Sequence, residues 1–278
     1  MHQVNSLDSL RKQGSWEESL PYARLNIRDV KINFSLPNGK AIFVAENAVN
    51  RETEVYSWIE DYLDQESLLL DVGANLGLYS LYAALLKSCR VLAFEPQFAS
   101  YYILYRNIIM NKMAAKITPY PLAITNSPSM NQQFRLNTYA AGKALNTITQ
   151  SSSSAEHDKS SVFSDIDALY AHNLGLQSLD ESDERFNCYQ PIISTSLDAF
   201  LAQQSLDNKP IYLKIDVDGL DFLVLTGALN SLPQIQSIII EYLPSSISLH
   251  KLIPPLLNEY GFTVCKKTDI NLILKRDA

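Results

Sequence analysis

The sequence lacks most of what marks a secreted, membrane-spanning or metal-stapled protein. Its three cysteines, Cys89, Cys188 and Cys265, are widely spaced and odd in number. They offer neither a metal-ligand spacing nor a disulfide framework, so a reducing, cytoplasmic setting is expected. No run reaches 18 apolar residues, so no membrane span is expected. The opening MHQVNSLDSLRKQ has no apolar core of signal-peptide length. Positive charge is not in excess: the net charge is −7 and the pI about 5.1. Neither nucleic acid nor an anionic membrane gains an electrostatic reason to bind. The four histidines, His2, His157, His172 and His250, share no spacing and read as surface residues rather than catalysts. There is no internal repeat, and nothing in the pattern speaks to oligomeric state.

What is present is a globular composition, 46% hydrophobic and 19% charged over 278 residues. That is enough for one full core with an appendage. The chain is organised around LLLDVGANLGLYS, Leu68 to Ser80. An apolar run ends in Asp71, a turn follows with Gly73, Ala74, Asn75 and Gly77, and a long apolar segment begins at Leu78. This reads as buried strand, glycine turn and buried helix, the opening of a nucleotide-binding α/β sheet. A second run, Val91 to Phe94, ends in Glu95. An acid at that strand tip is placed to accept hydrogen bonds from ribose hydroxyls.

Before this unit, residues 1–25 read as a loose arm or short helix. Residues 30–45 alternate around Pro37-Asn38-Gly39, predicting a hairpin. Val55, Trp58, Ile59 and Tyr62 predict an amphipathic helix over 52–64. After it, Phe98, Tyr101, Tyr102, Tyr105, Ile108 and Ile109 predict one apolar helical stripe, ended by Asn107 and Asn111 as caps. Residues 117–124 read as an edge strand because of their prolines. Residues 130–193 are polar and turn-rich, with a hairpin expected from Gln132–Leu136 and Leu145–Thr149. Their position suggests a lid over the sheet's carboxyl edge, with 150–165 equally readable as a surface insertion. A helix is expected over Ser194–Leu206 with Asp198 in its first turn, then buried strands ending at Asp216 and Glu241. A helix carrying Leu249, Leu252, Ile253, Leu256, Leu257 and Tyr260, kinked or restarted at Pro254-Pro255, precedes a C-terminal hairpin joined by 267–270. Two regions follow: 1–65 as arm, hairpin and helix on the substrate side, and 66–278 as the catalytic domain.

The turn is G-A-N-L-G, with Tyr79 where a dinucleotide fold would place a third glycine. A nucleoside ligand without pyrophosphate therefore fits better than NAD, and S-adenosylmethionine is the candidate. Its amino acid end can bond to backbone around Gly73 and Asn75. Asp71 and Asp216 provide a negative edge that suits a sulfonium and repels pyrophosphate.

Several motifs then fall in order: DVGANLGLYS, AFEP, NIIMN, SLDAFL, KIDVDGLD, a following GAL, and IIEY. Together, from about residue 52 to 275, they resemble the FkbM family of S-adenosylmethionine-dependent methyltransferases. The resemblance implies a Rossmann-like class I fold with a seven-stranded, mostly parallel sheet and a C-terminal antiparallel hairpin. It implies Asp71, Gly73, Asn75 and Gly77 around the methionine part and Glu95 on the ribose, with Tyr79 and Ser80 at the start of the helix counted in the same site. It also implies O-methylation of a hydroxyl on a sugar, glycan or natural-product-type small molecule. Where the family usually has glutamate, this chain has Asp218 and Asp221, each one methylene shorter.

For the chemistry, Asp216 is the first candidate base or hydroxyl-orienting group and Glu241 the second. Lys214 either pairs with Asp216 on the same strand face or contacts the acceptor. Asp216, Asp218 and Glu241 also form a conceivable oxygen-ligand set for a magnesium-like ion. Asp221 either contributes to the site or favours a helix dipole. The competing readings are a nicotinamide oxidoreductase and a non-catalytic domain that binds cofactor or glycan.

Overall fold

The computed structural model describes residues 20–136, 140–142, 147–150, 188–206, 209–243 and 248–277. The expected N-terminal arm through residue 19, most of the expected lid, and His2, His157 and His172 lie outside these.

Seven strands form the central sheet: β3 (Leu68–Val72), β4 (Arg90–Phe94), β5 (Ile117–Tyr120), β10 (Ile211–Ile215), β11 (Ile235–Glu241), β12 (Phe262–Lys267) and β13 (Asn271–Arg276). Their order is β12-β13-β11-β10-β3-β4-β5. All neighbours run parallel except β13, which is antiparallel to both β11 and β12. The chain steps outward from β3 to β4 and β5, then returns to β10 on the other side of β3. That reversal makes β3/β10 the topological switch point, outside whose carboxyl ends α/β sheets open a crevice. The Rossmann-like sheet and its closing hairpin are as the sequence predicts, and β5, with Pro119, takes the expected edge.

Strand alternation divides the core between two faces. Leu68, Leu70 and Val72 pack with Leu213, Ile215, Ile238 and Ile240 beneath α5 (Leu197–Leu201), α6 (Asp221–Thr226) and α7 (Ile253–Glu259). Leu69, Val91, Ala93 and Ile239 face the opposite core. That side is covered by α2 (Thr53–Tyr62), α3 (Leu78–Lys87) and α4 (Phe98–Met110). Trp58 on α2 is fully buried and donates from Nε1 to Ser237 Oγ on β11 at 2.9 Å.

Several local expectations are corrected. The N-terminal hairpin is β1 (Tyr22–Ile27) with β2 (Val30–Ser35), turning at Arg28-Asp29 rather than at Asn38-Gly39. Asn38 instead caps a helix, α1 (Gly39–Asn47), accepting from the Lys40 and Ala41 N–H groups. The same residue chemistry serves a turn and a helix start. The α4 stripe is also different. Ser100, Ile103, Leu104, Asn107 and Ile108 face inward, while Phe98, Tyr102, Tyr105 and Ile109 are exposed. Asn107 and Asn111 do more than cap. Asn107 Oδ1 accepts from Ser35 N, and Asn111 exchanges bonds with Asn33 N and O. A four-residue helical step of about 6 Å nearly matches a two-residue strand step of about 6.8 Å, so the pair mimics a neighbouring strand.

Strand β9 (Cys188–Thr195) occupies the start of the expected 194–206 helix; Ser196 then caps the short α5, with Asp198 in its first turn. With β6 (Ala123–Ile124), β7 (Ser129–Leu136) and β8 (Thr147–Gln150) it makes a four-stranded sheet, β6-β9-β7-β8. The β7–β8 hairpin was expected; here Gln132 pairs with Gln150. Of the two alternatives at Pro254-Pro255, a kink or a restart, the structure has the restart: both prolines lie in the first turn of α7 after a 3-10 turn, because proline lacks only an N–H that the first helical turn leaves unbonded.

Candidate active site

The site is a row of strand tips. Val72 is paired with Phe94 on β4 and with Ile215 on β10, and Ile215 with Ile240 on β11. The next residue on each strand is therefore Glu95, Gly73, Asp216 and Glu241, side by side. Neighbouring strands are about 4.8 Å apart, so the row spans roughly three such spacings.

Two cavities meet over its centre, sharing Gly73, Asp216 and Asp218. The larger, about 170 Å³, includes Asn75, Tyr79, Glu241 and a wall from α1 and the turn to Glu52. The smaller, about 70 Å³, holds Glu95 and Pro96 among apolar Leu122, Phe134 and Leu220.

The glycine turn is shaped by packing. Gly73 has φ +80°, and a Cβ there would lie 1.9 Å from the Asp216 carbonyl oxygen. Gly77 has φ +85°, and its Cβ would lie 2.4 Å from Leu104 Cδ1 on α4. Gly77 thus lets α3 approach α4 and reaches neither cavity, whereas Gly73 lines both. Asn75, also at positive φ, donates its N–H to Glu95 Oε2. Its own Oδ1 is buried and has no hydrogen-bond partner among the described residues.

Glu95 accepts from Asn75 N at 2.9 Å and Gln97 N at 2.8 Å. Burial pushes its carboxyl up to about 7, against the pull of those two N–H groups. Asp71 and Ser80 sit behind the cavity wall. Ser80 Oγ donates to Asp71 Oδ2, and Lys214 Nζ lies 3.2 Å from Asp71 Oδ1. Lys214 stands beside Asp71 in the β3/β10 register and is also 3.4 Å from Asp216 Oδ2. Burial opposes its charge, but Asp71, Asp216 and Glu52 outweigh that and hold the ammonium above the usual lysine range. A lysine so held is a fixed cation, not a proton acceptor.

Glu241 is different. Among the described residues its carboxylate makes no hydrogen bond or ion pair. Burial, and then the charges of Asp216, Asp221 and Asp218, push it up to about 8. Asp216 keeps its link to Lys214 and is two-fifths exposed. Asp216, Asp218 and Glu241 all line the larger cavity, yet no group of three His, Cys, Asp or Glu among the described residues is arranged to hold a metal ion.

Sequence reasoning missed two contributors. Glu52, in left-handed backbone, accepts from the Tyr79 hydroxyl at 3.1 Å and lines the cavity. Burial, then Asp216, raises its carboxyl. His250 is fully buried, not a surface residue. Leu243 N–H donates to its Nδ1 at 2.8 Å, so Nε2 carries the proton and faces Asp221 Oδ2 at 3.2 Å. Asp221, also fully buried, accepts from Gly219 N. The pair ties the loop after β10, with Asp216 and Asp218, to the loop after β11. Nothing local in the sequence marks either residue; only the Asp218-Gly219 turn, with both residues at positive φ, hints that the loop needs an internal acceptor.

The methyltransferase FkbM domain model matches residues 71–264 of the 278. No curated relative matches the sequence. Among solved structures, the chain is similar to a methyltransferase FkbM of Methylobacillus flagellatus, at 12% identity over 84% of this chain and 53% of that one, TM-score 0.44. It therefore spans about half of that protein's length. It is also similar to a ribosomal protein L11 methylase of Lactobacillus delbrueckii subsp. bulgaricus, at 13% identity over 82% and 79%, TM-score 0.40. A precorrin-6y C5,15-methyltransferase of Geobacter metallireducens aligns at 11% identity over 81% and 87%, TM-score 0.39. With the domain model covering the glycine turn, the three acidic strand tips and the start of the C-terminal hairpin, the chain belongs to the methyltransferase FkbM domain family.

Proposed function

We propose that this chain is a cytoplasmic, S-adenosylmethionine-dependent O-methyltransferase whose acceptor is a hydroxyl of a sugar, glycan or natural-product-type small molecule. The observation that carries the reading is the row Glu95, Gly73, Asp216, Glu241 beneath two adjoining cavities. The residues present fit the cofactor. The buried Asn75 Oδ1, with no partner among the described residues, is an acceptor in want of a donor such as an ammonium. Glu95, with apolar Leu122, Phe134 and Leu220, suits a ribose and base; Gly73, Asn75 and the acidic floor suit the cationic amino acid end.

When bound, S-adenosylmethionine supplies a methyl group on a sulfonium sulfur that leaves as a neutral thioether. The chain's own work is to orient the acceptor and take its proton. Glu241 is the base: it has no partner among the described residues, it lines the larger cavity, and burial and neighbouring charge raise its proton affinity toward the range where a carboxylate is effective near neutrality. Asp216, steered by Lys214, orients the hydroxyl. Lys214 acts through Asp71 and Asp216. We assign residues 1–65 to the acceptor side, since α1 and the following turn wall the larger cavity, and 66–278 to the methyltransferase domain. Among the described residues no helix is long and apolar enough to cross a membrane.

Isothermal calorimetry with S-adenosylmethionine and NADH tests the reading. One-to-one binding of the first, weakened at least tenfold by Glu95→Ala, is expected; binding of NADH alone would replace it with a nicotinamide site.

A further inference from the structure

Helix α1 and its following turn give Lys40, Val44, Asn47, Ala48 and Arg51 to the larger cavity. Lys40, Val44 and Asn47, at i, i+4 and i+7, share one face of α1, and Ala48 and Arg51 follow in the turn after it. The same cavity carries Glu52, Asp216, Asp218 and Glu241. One wall is therefore cationic and the floor acidic. Arg51 is balanced, with Nε 2.9 Å from Glu52 Oε1. Lys40 is not. It is half-buried, its ammonium lies 5.0 Å from the Phe43 ring, and it has no carboxylate partner among the described residues.

The fold does not call for a cation there. The first turn of α1 contains no acidic residue, and a lysine in that turn opposes the helix dipole. A lysine on the wall of a cavity that also carries four acids, with no carboxylate partner among the described residues, is placed to receive a ligand that carries negative charge at one end.

We propose that Lys40 binds an acidic group of the acceptor, so that the substrate is a polyhydroxylated organic anion whose free hydroxyl is presented toward Glu241. This rests on the methyl-transfer reading. The acidic group is a carboxylate, as in a sugar acid, or a phosphate ester; Lys40 offers both a point charge and up to three donors. Neutral sugars of the same size lack the group that offsets the cost of desolvating the ammonium.

The test uses the full chain saturated with S-adenosylhomocysteine, which has no methyl to transfer. Binding of that ligand is measured first; its failure would remove the methyl-transfer reading itself. D-glucuronate, D-glucose 6-phosphate and D-glucose are then titrated by calorimetry. At least one anion is expected to bind ten times more tightly than glucose. Lys40→Gln is expected to erase that preference and Lys40→Arg to retain most of it, with S-adenosylhomocysteine affinity unchanged within twofold. Preference for glucuronate alone identifies a carboxylate, and for the phosphate alone a phosphate ester. No preference among the three probes overturns the proposal. So does a tenfold loss of S-adenosylhomocysteine affinity in Lys40→Gln, which would give the lysine to the cofactor's own carboxylate.

Discussion

Binding of a sulfonium cofactor is expected to expel a proton from Glu241. With its carboxyl at about 8, Glu241 holds roughly 0.9 of a proton at pH 7. A unit positive charge about 6 Å away, at an effective dielectric of about 20, is worth about 2.8 kcal/mol, close to a hundredfold in the ionisation constant. That is enough to ionise Glu241 at pH 7, so about 0.8 of a proton leaves on binding. The sign follows from linkage: the bound form holds fewer protons, so affinity rises with pH, by up to a hundredfold from below pH 6 to above pH 8. Calorimetry in two buffers of different ionisation enthalpy, such as phosphate and Tris, reads the proton count directly. S-adenosylhomocysteine shares the nucleoside contacts, and hence any effect on Glu95, but lacks the sulfonium charge, so it should release much less. Glu241→Gln should remove the difference between the two ligands. Equal proton release for both ligands in the unmodified protein, or a difference that survives Glu241→Gln, would refute the reasoning.

Other consequences follow from the same contacts. Gly73→Ala sets a Cβ 1.9 Å from the Asp216 carbonyl oxygen in left-handed backbone; a loss of about 3 kcal/mol or more is expected in urea unfolding, and an unchanged midpoint would contradict the packing. His250→Leu leaves buried Asp221 and the Leu243 N–H without their partner. Its expected cost is about 3 kcal/mol, largely restored by His250→Gln only if the amide reaches both groups, which urea midpoints of the two variants compare. Glu95, raised to about 7 by burial, binds its proton more tightly folded than unfolded. Stability should therefore increase as pH falls from 7 to about 4.5, by about 3 kcal/mol from this residue. Glu95→Gln should lose that slope in a series of pH-dependent melts.

The strand–turn–helix unit was legible because its signals are contiguous. Leu68–Val72 is buried on both faces and apolar but for Asp71, and Gly73 and Gly77 stand where the backbone must turn left-handed. Glu95 and Glu241 could be found as acids ending buried runs. Legibility failed where one local pattern serves two structures. Asn38-Gly39 fits a hairpin turn and a helix start equally; the choice is made by packing, with Asn38 Nδ2 reaching Ala141 O. The aromatic run 98–109 suggested a buried stripe, yet the buried face is chosen by partners such as Leu76 O and Ser35 N, which bind Asn107. Strand β9 was missed because its partners, β6 and β7, lie more than 50 residues earlier. His250 was misread for the same reason, since its partner Asp221 is 29 residues away. The pairing of Lys214 with Asp216 was readable from their same-face spacing, but the choice of Glu241 over Asp216 as base needed coordinates, which place Lys214 Nζ 3.4 Å from Asp216 Oδ2 and show no ion pair to Glu241 among the described residues.

If the strand-tip row transfers a methyl group to a hydroxyl, incubation of the protein with methyl-¹³C S-adenosylmethionine and a small-molecule extract, followed by NMR of the products, will reveal it. A ¹³C-methyl on oxygen is expected, lost by about a hundredfold or more in Glu241→Gln, the range expected for removing a general base. Label on nitrogen or carbon, or oxygen labelling undiminished in Glu241→Gln, would contradict that reading.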